Sequence, residues 1–326
     1  MKHISILVPE GDCSLVNIEG CHQIFSEVNS VLLRAGKSPV FNIELVGLSK
    51  KPGVKKGLFS IYPDATIADI EKTDLIIIPA LFGEKEKAIA ENKNFIPWLV
   101  EQHKNGASIA SLCIGVFLLA STGLLNGRKV ATHWVEADNF RKMFPEVELV
   151  PDKIITDEEG IYTSGGAYSW LNLVLYLVEK FVGREMAIIC SKLFEIQIER
   201  NDQSAFMIFM PQKQHEDDVI KKAQEYIEKN YQEKITVDEL ASQLAISRRN
   251  LERRFKKVTY NSIVEYMQRV RIEAAKMTLE REKENVNEAM YKAGYNDIKA
   301  FRTTFKKLTG LSPLEYKNKY SRNAVL

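Results

Sequence analysis

The sequence predicts an α/β domain with a mostly parallel sheet, joined to an all-α domain that holds two helix-turn-helix units. Three observations carry this. Over the first two-thirds of the 326 residues, short apolar runs alternate with helical patterns, as in an open sheet covered by helices. A polar stretch, MPQKQHEDD at 210–218, follows, and beyond it the pattern is helical almost to the end. Within that last third a segment repeats at an offset of 50 residues, the mark of a duplicated supersecondary unit. The domains are therefore expected at 1–212 and 213–326, with the linker near 213.

The elements follow in order. HISILV (3–8) is rich in β-branched residues, Ile18 to Leu33 has helical spacing, and FNIELVGL (41–48) alternates like a strand. DLIIIPA (74–80) is the continuous apolar run of a parallel strand covered on both faces. A helix is expected over Glu84 to Lys104, a strand over SIASL (108–112) and a helix over Gly115 to Leu125. Three short strands are expected at Arg128–Thr132, Val147–Pro151 and Lys153–Thr163, then helices at Ser169–Val182 and Arg184–Phe194. Asn105 to Gly127 carries no charge over 23 positions, long enough to span a bilayer. Its glycines and hydroxyl residues fit a buried strand, turn and helix better, so no membrane partner is expected.

Composition narrows the class. Hydrophobic residues make up 45% and charged residues 27%, which excludes a disordered or collagen-like chain. The net charge of +2 argues against a strongly basic nucleic-acid binder, but the halves differ. Residues 217–326 carry 23 Lys and Arg against 16 Asp and Glu, whereas residues 1–216 carry 22 against 27. Such a split hints at a nucleic-acid-binding part joined to something else. The four cysteines form no CxxC pair, and the apolar run at the N-terminus is too short for a signal-peptide core. Free thiols in a reducing cytoplasm, with the protein associated with the nucleoid, are expected, with no metal site and no cofactor.

The repeat aligns VDELASQLAISRRNLERRFKKVT (237–259) with NEAMYKAGYNDIKAFRTTFKKLTG (287–310). Phe255-Lys256-Lys257 matches Phe305-Lys306-Lys307 and Leu251 matches Phe301 at an offset of 50; Leu244 matches Ala293 and Ile246 matches Tyr295 at 49. One residue is thus inserted in the second turn. Each copy reads as a helix-turn-helix. In the first, Leu240 and Leu244 share a face, Ala241 allows a close crossing and Ile246 plugs the turn. Ser247 caps the next helix, whose buried stripe is Leu251, Phe255 and Val258. Arg248, Arg249, Asn250, Arg253, Lys256 and Lys257 are left outside. Arg can grip a guanine edge bidentately, Asn an adenine edge, and Arg or Lys a phosphate. In the second copy Asn296 is the expected cap, with Lys299, Arg302, Thr303 and Lys306 outside.

ISRRNLERRFKK, the helix EYMQRVRIEAAKMTL (265–279) and AGYNDIKAFRTTFKKLTGLSPLEYKNKY together resemble the AraC-type DNA-binding domain over roughly 219–320. The resemblance implies two recognition helices entering successive major grooves on one face of double-stranded DNA, about one turn (~10 bp) apart. Ile298 and Met290 depart from the family pattern, which points to phosphate contacts more than base readout in the second unit.

In the first domain, SIASLCIGVFLLA puts Cys113 directly after a strand, before Ile114, Gly115 and a helix. That is a nucleophile-elbow layout, and a helix N-terminus favours thiolate. His133 follows another short strand, within reach in a parallel sheet, and Cys–His is a standard nucleophilic pair. SLCIG, GLLNGRKVATHW and ITDEEGIYTSGGAYSWLNLVLYLVE resemble the ThiJ/PfpI branch of the class I glutamine-amidotransferase-like superfamily over about 3–195. A flavodoxin-like fold is thereby implied. The order of the two parts resembles the GlxA-like AraC-family transcriptional regulators.

The enzymatic set that the resemblance requires is incomplete. Glu10 and Glu19 do not match the Glu of the enzymatic members, and His133-Trp134-Val135-Glu136 is one residue longer than the His-x-Glu pair of glutaminases. The sequence thus predicts a sequence-specific DNA-binding transcriptional regulator rather than an enzyme. Its first domain is expected to sense a small-molecule effector in a pocket at Cys113, Ile114 and His133, and to form a homodimer. The competing expectation is a cysteine-dependent hydrolase, amidase or glyoxalase-like enzyme, built on Cys113 and His133, fused to a DNA-binding domain.

Overall fold

The computed structural model describes residues 1–51, 53–55, 59–198, 202–281 and 284–321. It divides into two compact units, Met1–Gln203 and Ser204–Leu326. Residues 204–212, placed before the linker by sequence, pack with the second unit. The Phe209 ring meets Tyr266 edge-on at 5.2 Å, and Lys276 Nζ donates to Met207 O at 2.7 Å.

The first unit runs β1 (Lys2–Val8), α1 (Leu15–Arg34), β2 (Phe41–Gly47), β3 (Gly53–Lys55), β4 (Phe59–Ile61), β5 (Ala65–Thr66), β6 (Leu75–Ile78), α2 (Lys85–Glu91), α3 (Phe95–Lys104) and β7 (Ser108–Ser111). A 3-10 turn at Cys113–Gly115 leads into α4 (Val116–Ala120), then β8 (Lys129–Val130), a second 3-10 turn (Trp134–Glu136), α5 (Ala137–Met143), β9 (Glu148–Leu149), β10 (Ile155–Glu158), β11 (Ile161–Ser164), α6 (Trp170–Val182) and α7 (Arg184–Leu193). Seven strands form one sheet in the order β10-β11-β7-β6-β1-β2-β5. Every neighbour pair is parallel except β10–β11. The α/β fold read from the alternating pattern is the one observed.

The central strand β6 is apolar on both sides because both faces are covered. In β6, Leu75 and Ile77 join the core beneath α1, α6 and α7, while Ile76 and Ile78 join the core beneath α3 and α4.

Four local expectations are corrected. The helix expected over 84–104 is two. Asn92 breaks it, because its buried amide accepts from Glu10 N and donates to Glu10 O, a residue on the loop after β1. The helix expected over 115–125 stops at Ala120, where the Ser121 and Thr122 hydroxyls take the last carbonyls, Leu118 O and Leu119 O. The strand expected over 153–163 is the hairpin β10–β11, turned through Glu159 and Gly160, both at positive φ. The strand expected over 128–132 shortens to β8, which pairs with β9 in a separate ribbon. The short strands β3 to β5 lacked the length to be read from sequence.

The second unit holds α8 (Asp218–Asn230), α9 (Val237–Gln243), α10 (Arg248–Thr259), α11 (Ile263–Leu279), α12 (Val286–Lys292), α13 (Ile298–Thr309) and α14 (Pro313–Tyr320). It has two cores. One gathers Ile220, Leu240, Leu251, Phe255 and Tyr266; the other gathers Leu279, Met290, Phe301, Phe305 and Tyr316. α11 feeds both, with Ile263 and Tyr266 in the first and Ile272, Ala275 and Leu279 in the second. Among the described residues no helix is long and apolar enough to cross a membrane.

Candidate functional site

In the first unit the site forms where β7 ends. Cys113 sits at φ +55°, a left-handed conformation that costs a non-glycine residue about 1–2 kcal/mol. The surroundings hold it there. Its N–H donates to Ser164 Oγ at 3.0 Å, and its carbonyl accepts from Thr132 Oγ1 at 3.2 Å. The turn then passes so close to β6 that a Cβ on Gly115 would stand 2.5 Å from Pro79 O. Opposite the sulfur, Ala167 is also left-handed, at φ +50°.

The thiolate expected from the elbow layout is not favoured. Burial pushes the Cys113 thiol above its ordinary range, although the N–H groups of Ala167 and Ile114 and the charge of Lys85 pull it down. The helix facing the sulfur has only five residues, so its dipole is weak. Ile114 is buried behind the cysteine.

His133 comes to the same loop. Its ring lies on Gly166, where a Cβ would be 2.5 Å from the ring carbons. It caps the second 3-10 turn, Nδ1 accepting from Val135 N at 3.2 Å. Burial lowers its pKa, with Glu136 opposing. A neutral ring whose Nδ1 accepts carries its proton on Nε2. Both shifts run against the thiolate–imidazolium form of a cysteine–histidine pair.

Sequence reasoning missed three residues here. Lys85 is buried, donates to Gly83 O, and pairs with Glu136 Oε1 at 3.1 Å next to the cysteine. Glu136 was noted only as misplaced for a His-x-Glu pair. Gln203, only 1% exposed, ties together the backbone segments behind the site. Neither Lys85 nor Gln203 sits in a pattern that sequence could single out.

In the second unit the expected helix-turn-helix pairs are α9–α10 and α12–α13. Ser247 caps α10 by accepting from Asn250 N. The second cap is corrected: Asp297, not Asn296, accepts from Ala300 N at 2.6 Å and starts α13. A carboxylate one residue later satisfies the same free N–H groups and also suits the helix dipole; Asn296 is left exposed in the turn. Along the two outer helices the burial sequence is identical residue by residue, from Leu251 to Tyr260 and from Phe301 to Gly310. Arg248, Arg249, Arg253, Lys256 and Lys257 are exposed on α10, and Asn250 is half-buried. Lys299, Arg302, Thr303 and Lys306 are exposed on α13.

The two outer faces differ chemically. Arg248 is held between Asp238 Oδ2 at 3.0 Å and Glu252 Oε1 at 3.1 Å, and Arg253 donates to Asn250 Oδ1. At the matching positions of the second unit stand Ile298, Asn287 and Arg302. Asp238 and Glu252 were not among the expected residues, because carboxylates oppose a phosphate surface. Among the described residues no cluster of His, Cys, Asp or Glu could hold a metal ion.

Residues 26–180 match the DJ-1/PfpI family and residues 240–319 match a helix-turn-helix domain. The HTH-type transcriptional regulator GbdR of Pseudomonas aeruginosa is 27% identical over 256 residues, covering 78% of this chain and 68% of the relative. Isonitrile hydratase of Pseudomonas putida is 24% identical over 163 residues, covering 49% of this chain and 67% of that enzyme. A putative transcriptional regulator from Vibrio parahaemolyticus superimposes with a TM-score of 0.53 at 23% identity, over 59% of this chain and 98% of that structure. The last likeness speaks for the fold alone.

Proposed function

This chain belongs to the AraC-type helix-turn-helix transcriptional regulators that carry an N-terminal DJ-1/PfpI domain, and from that premise we propose that its first unit senses a small-molecule effector at the Cys113 elbow and joins two copies into a homodimer. As a regulator of this kind it binds DNA. An effector that favours one arrangement of the protein would shift the population competent to bind DNA. The observation that carries the sensing role is the elbow itself: a Cys113 held at φ +55° with Ala167, His133 and the Lys85–Glu136 pair around it. Dimerisation draws support from exposed Ile188, Ile189 and Leu193 on α7.

On the DNA side, base readout falls to the first unit and phosphate contacts to the second. This assignment rests on the carboxylate-held Arg248 of α10 against Ile298 of α13. The test selects binding sites from random DNA with the full chain, then measures the variants by fluorescence anisotropy. Arg249→Ala or Arg253→Ala is expected to cost about 1–3 kcal/mol on the best site and little on random DNA. An equal loss on all sequences identifies a phosphate contact instead. Binding is also expected to weaken steeply with salt, as counterions are released; a flat response removes the DNA interface.

The competing reading, a Cys113-dependent hydrolase, amidase or glyoxalase-like enzyme, draws on the elbow and on the likeness to isonitrile hydratase. Assays of isonitriles, amides and 2-oxoaldehydes with wild type and Cys113→Ser decide it. Cys113-dependent turnover at roughly 1 s⁻¹ or faster would establish the enzyme.

A further inference from the structure

Gln203 is the last residue of the first unit, and its side chain is bonded into the wall of the Cys113 site. Its Oε1 accepts from Gly166 N at 2.9 Å. Its Nε2 donates to Thr132 O and Pro151 O at 2.9 Å each, and to Lys153 O at 3.2 Å. Its backbone N–H donates to Asp152 O at 2.8 Å. The amide lies flat on Gly165, where a Cβ would be 2.8 Å from Nε2.

These partners belong to the segments that shape the site. Thr132 holds the Cys113 carbonyl through its hydroxyl and precedes His133. Gly166 lies under the His133 ring and precedes Ala167, whose N–H acts on the Cys113 sulfur. A group entering the site must push Ala167, His133 or both. Either displacement moves Gly166 N or Thr132 O, and a buried amide held at both its ends cannot follow one without leaving the other unpaired. Each such broken pair costs about 1–3 kcal/mol. The next residue along the chain, Ser204, opens the second unit.

We propose that Gln203 is the coupling residue of this regulator: occupancy of the Cys113 site is passed, through the Gly166 and Thr132 hydrogen bonds, to the point where the chain enters the DNA-binding unit. The proposal rests on the reading of that site as the effector pocket. It requires two states of the amide, docked on all its partners or released, with the docked state belonging to the empty pocket.

Hydrogen exchange of the full chain tests it, with iodoacetamide as the probe that fills the pocket and Cys113→Ser as the control for the other thiols. In wild type, alkylation of Cys113 is expected to speed exchange about tenfold both at 165–167 and at 202–207. In Gln203→Met, which keeps the side-chain length and removes every polar contact of the side chain, only 165–167 is expected to respond. Gly165→Ala, which displaces the same amide from the opposite segment at an ordinary φ, is expected to uncouple in the same way. It keeps the test sound if Gln203→Met fails to fold. A response at 165–167 with silence at 202–207 in wild type overturns the coupling and leaves the pocket intact. So does an undiminished response at 202–207 in the folded variants. If Cys113 reacts no faster than Cys21 and Cys190, the pocket is closed to small molecules, and the effector reading falls together with the coupling.

Discussion

In the first helix-turn-helix unit the turn passes through Ala245 at φ +52°; in the second the matching residue is Gly294 at φ +77°. At the end of the outer helix the pair is Tyr260, φ +57°, against Gly310, φ +72°. The second unit gives both left-handed positions to glycine, while the first strains a side chain at each. The first unit has a compensating tie. Arg254 grips Asp217 through two hydrogen bonds of 2.8 and 2.6 Å, and Asp217 also caps α8. Threonine stands at the matching position 304.

Elsewhere the units agree in detail. Thr259 and Thr309 each turn a hydroxyl back to the carbonyl of a buried Phe, at 2.8 Å in both cases. Tyr266 and Tyr316 each donate to a glutamate, Glu228 and Glu280. What the two copies share is what the fold demands. What differs is confined to the outer faces of α10 and α13 and to local solutions for the same backbone.

Two substitution pairs and one single substitution press on this comparison, read by native-state hydrogen exchange on the full chain. The largest effect is expected from Phe255→Ala and Phe305→Ala, at about 3–5 kcal/mol each. Each is expected to open its own unit first; equal opening of both by either would mean that α11 fuses them into one cooperative block. Next comes Gly294→Ala, at about 2 kcal/mol or more. Its Cβ would meet Gln232 O at 2.7 Å, a backbone atom that cannot yield, at a φ that disfavours any side chain. The reverse change, Ala245→Gly, is expected to be neutral or to stabilise by up to about 1 kcal/mol. A loss there would mean that the Ala245 methyl packs productively.

The smallest effect depends on pH. The Arg254 guanidinium holds the Asp217 carboxyl below its ordinary range. The resulting stability is present above the unfolded value, about 3.9, and is lost as pH falls through the lower folded value. Ser262–Glu265 and Ser312–Glu315, at matching positions, box their helix starts alike and hold both carboxyls below the ordinary range, and in the second unit Lys292 does the same for Glu284. Asp217→Asn is expected to remove the part of the first unit's acid sensitivity that the Arg254 pair supplies. Acid opening of the first unit that is the same in wild type and in Asp217→Asn would show that the ion pair contributes nothing.

The repeat was fully legible in the sequence, because burial with helical period and an offset of 50 both survive in one dimension. So was the parallel sheet, whose strand β6 is a continuous apolar run and whose other strands alternate with helical patterns. The failures share a cause. Asn92 ends a helix through a bond to Glu10, 82 residues earlier. Gln203 looks like any glutamine of a polar connector until its partners at 132, 151 and 166 are in place. The Cys113 thiolate was not legible because burial, which pushes the thiol up, is set by the packing around the elbow and not by the local sequence. Asp297 displaced Asn296 because the one-residue insertion in the second turn shifts the helix start.

The position of α11 in both cores has a consequence for how much this chain can vary. Its 17 residues span about 25 Å and turn by about 100° per residue. Inserting one residue between Tyr266 and Ile272 would leave both cores chemically intact. It would nevertheless swing α10 about a third of a turn around the axis relative to α13, so that the two outer helices no longer keep their mutual orientation. Length in this helix is therefore constrained as phase, and composition only as burial. Substitutions along it can accumulate where a single insertion or deletion cannot.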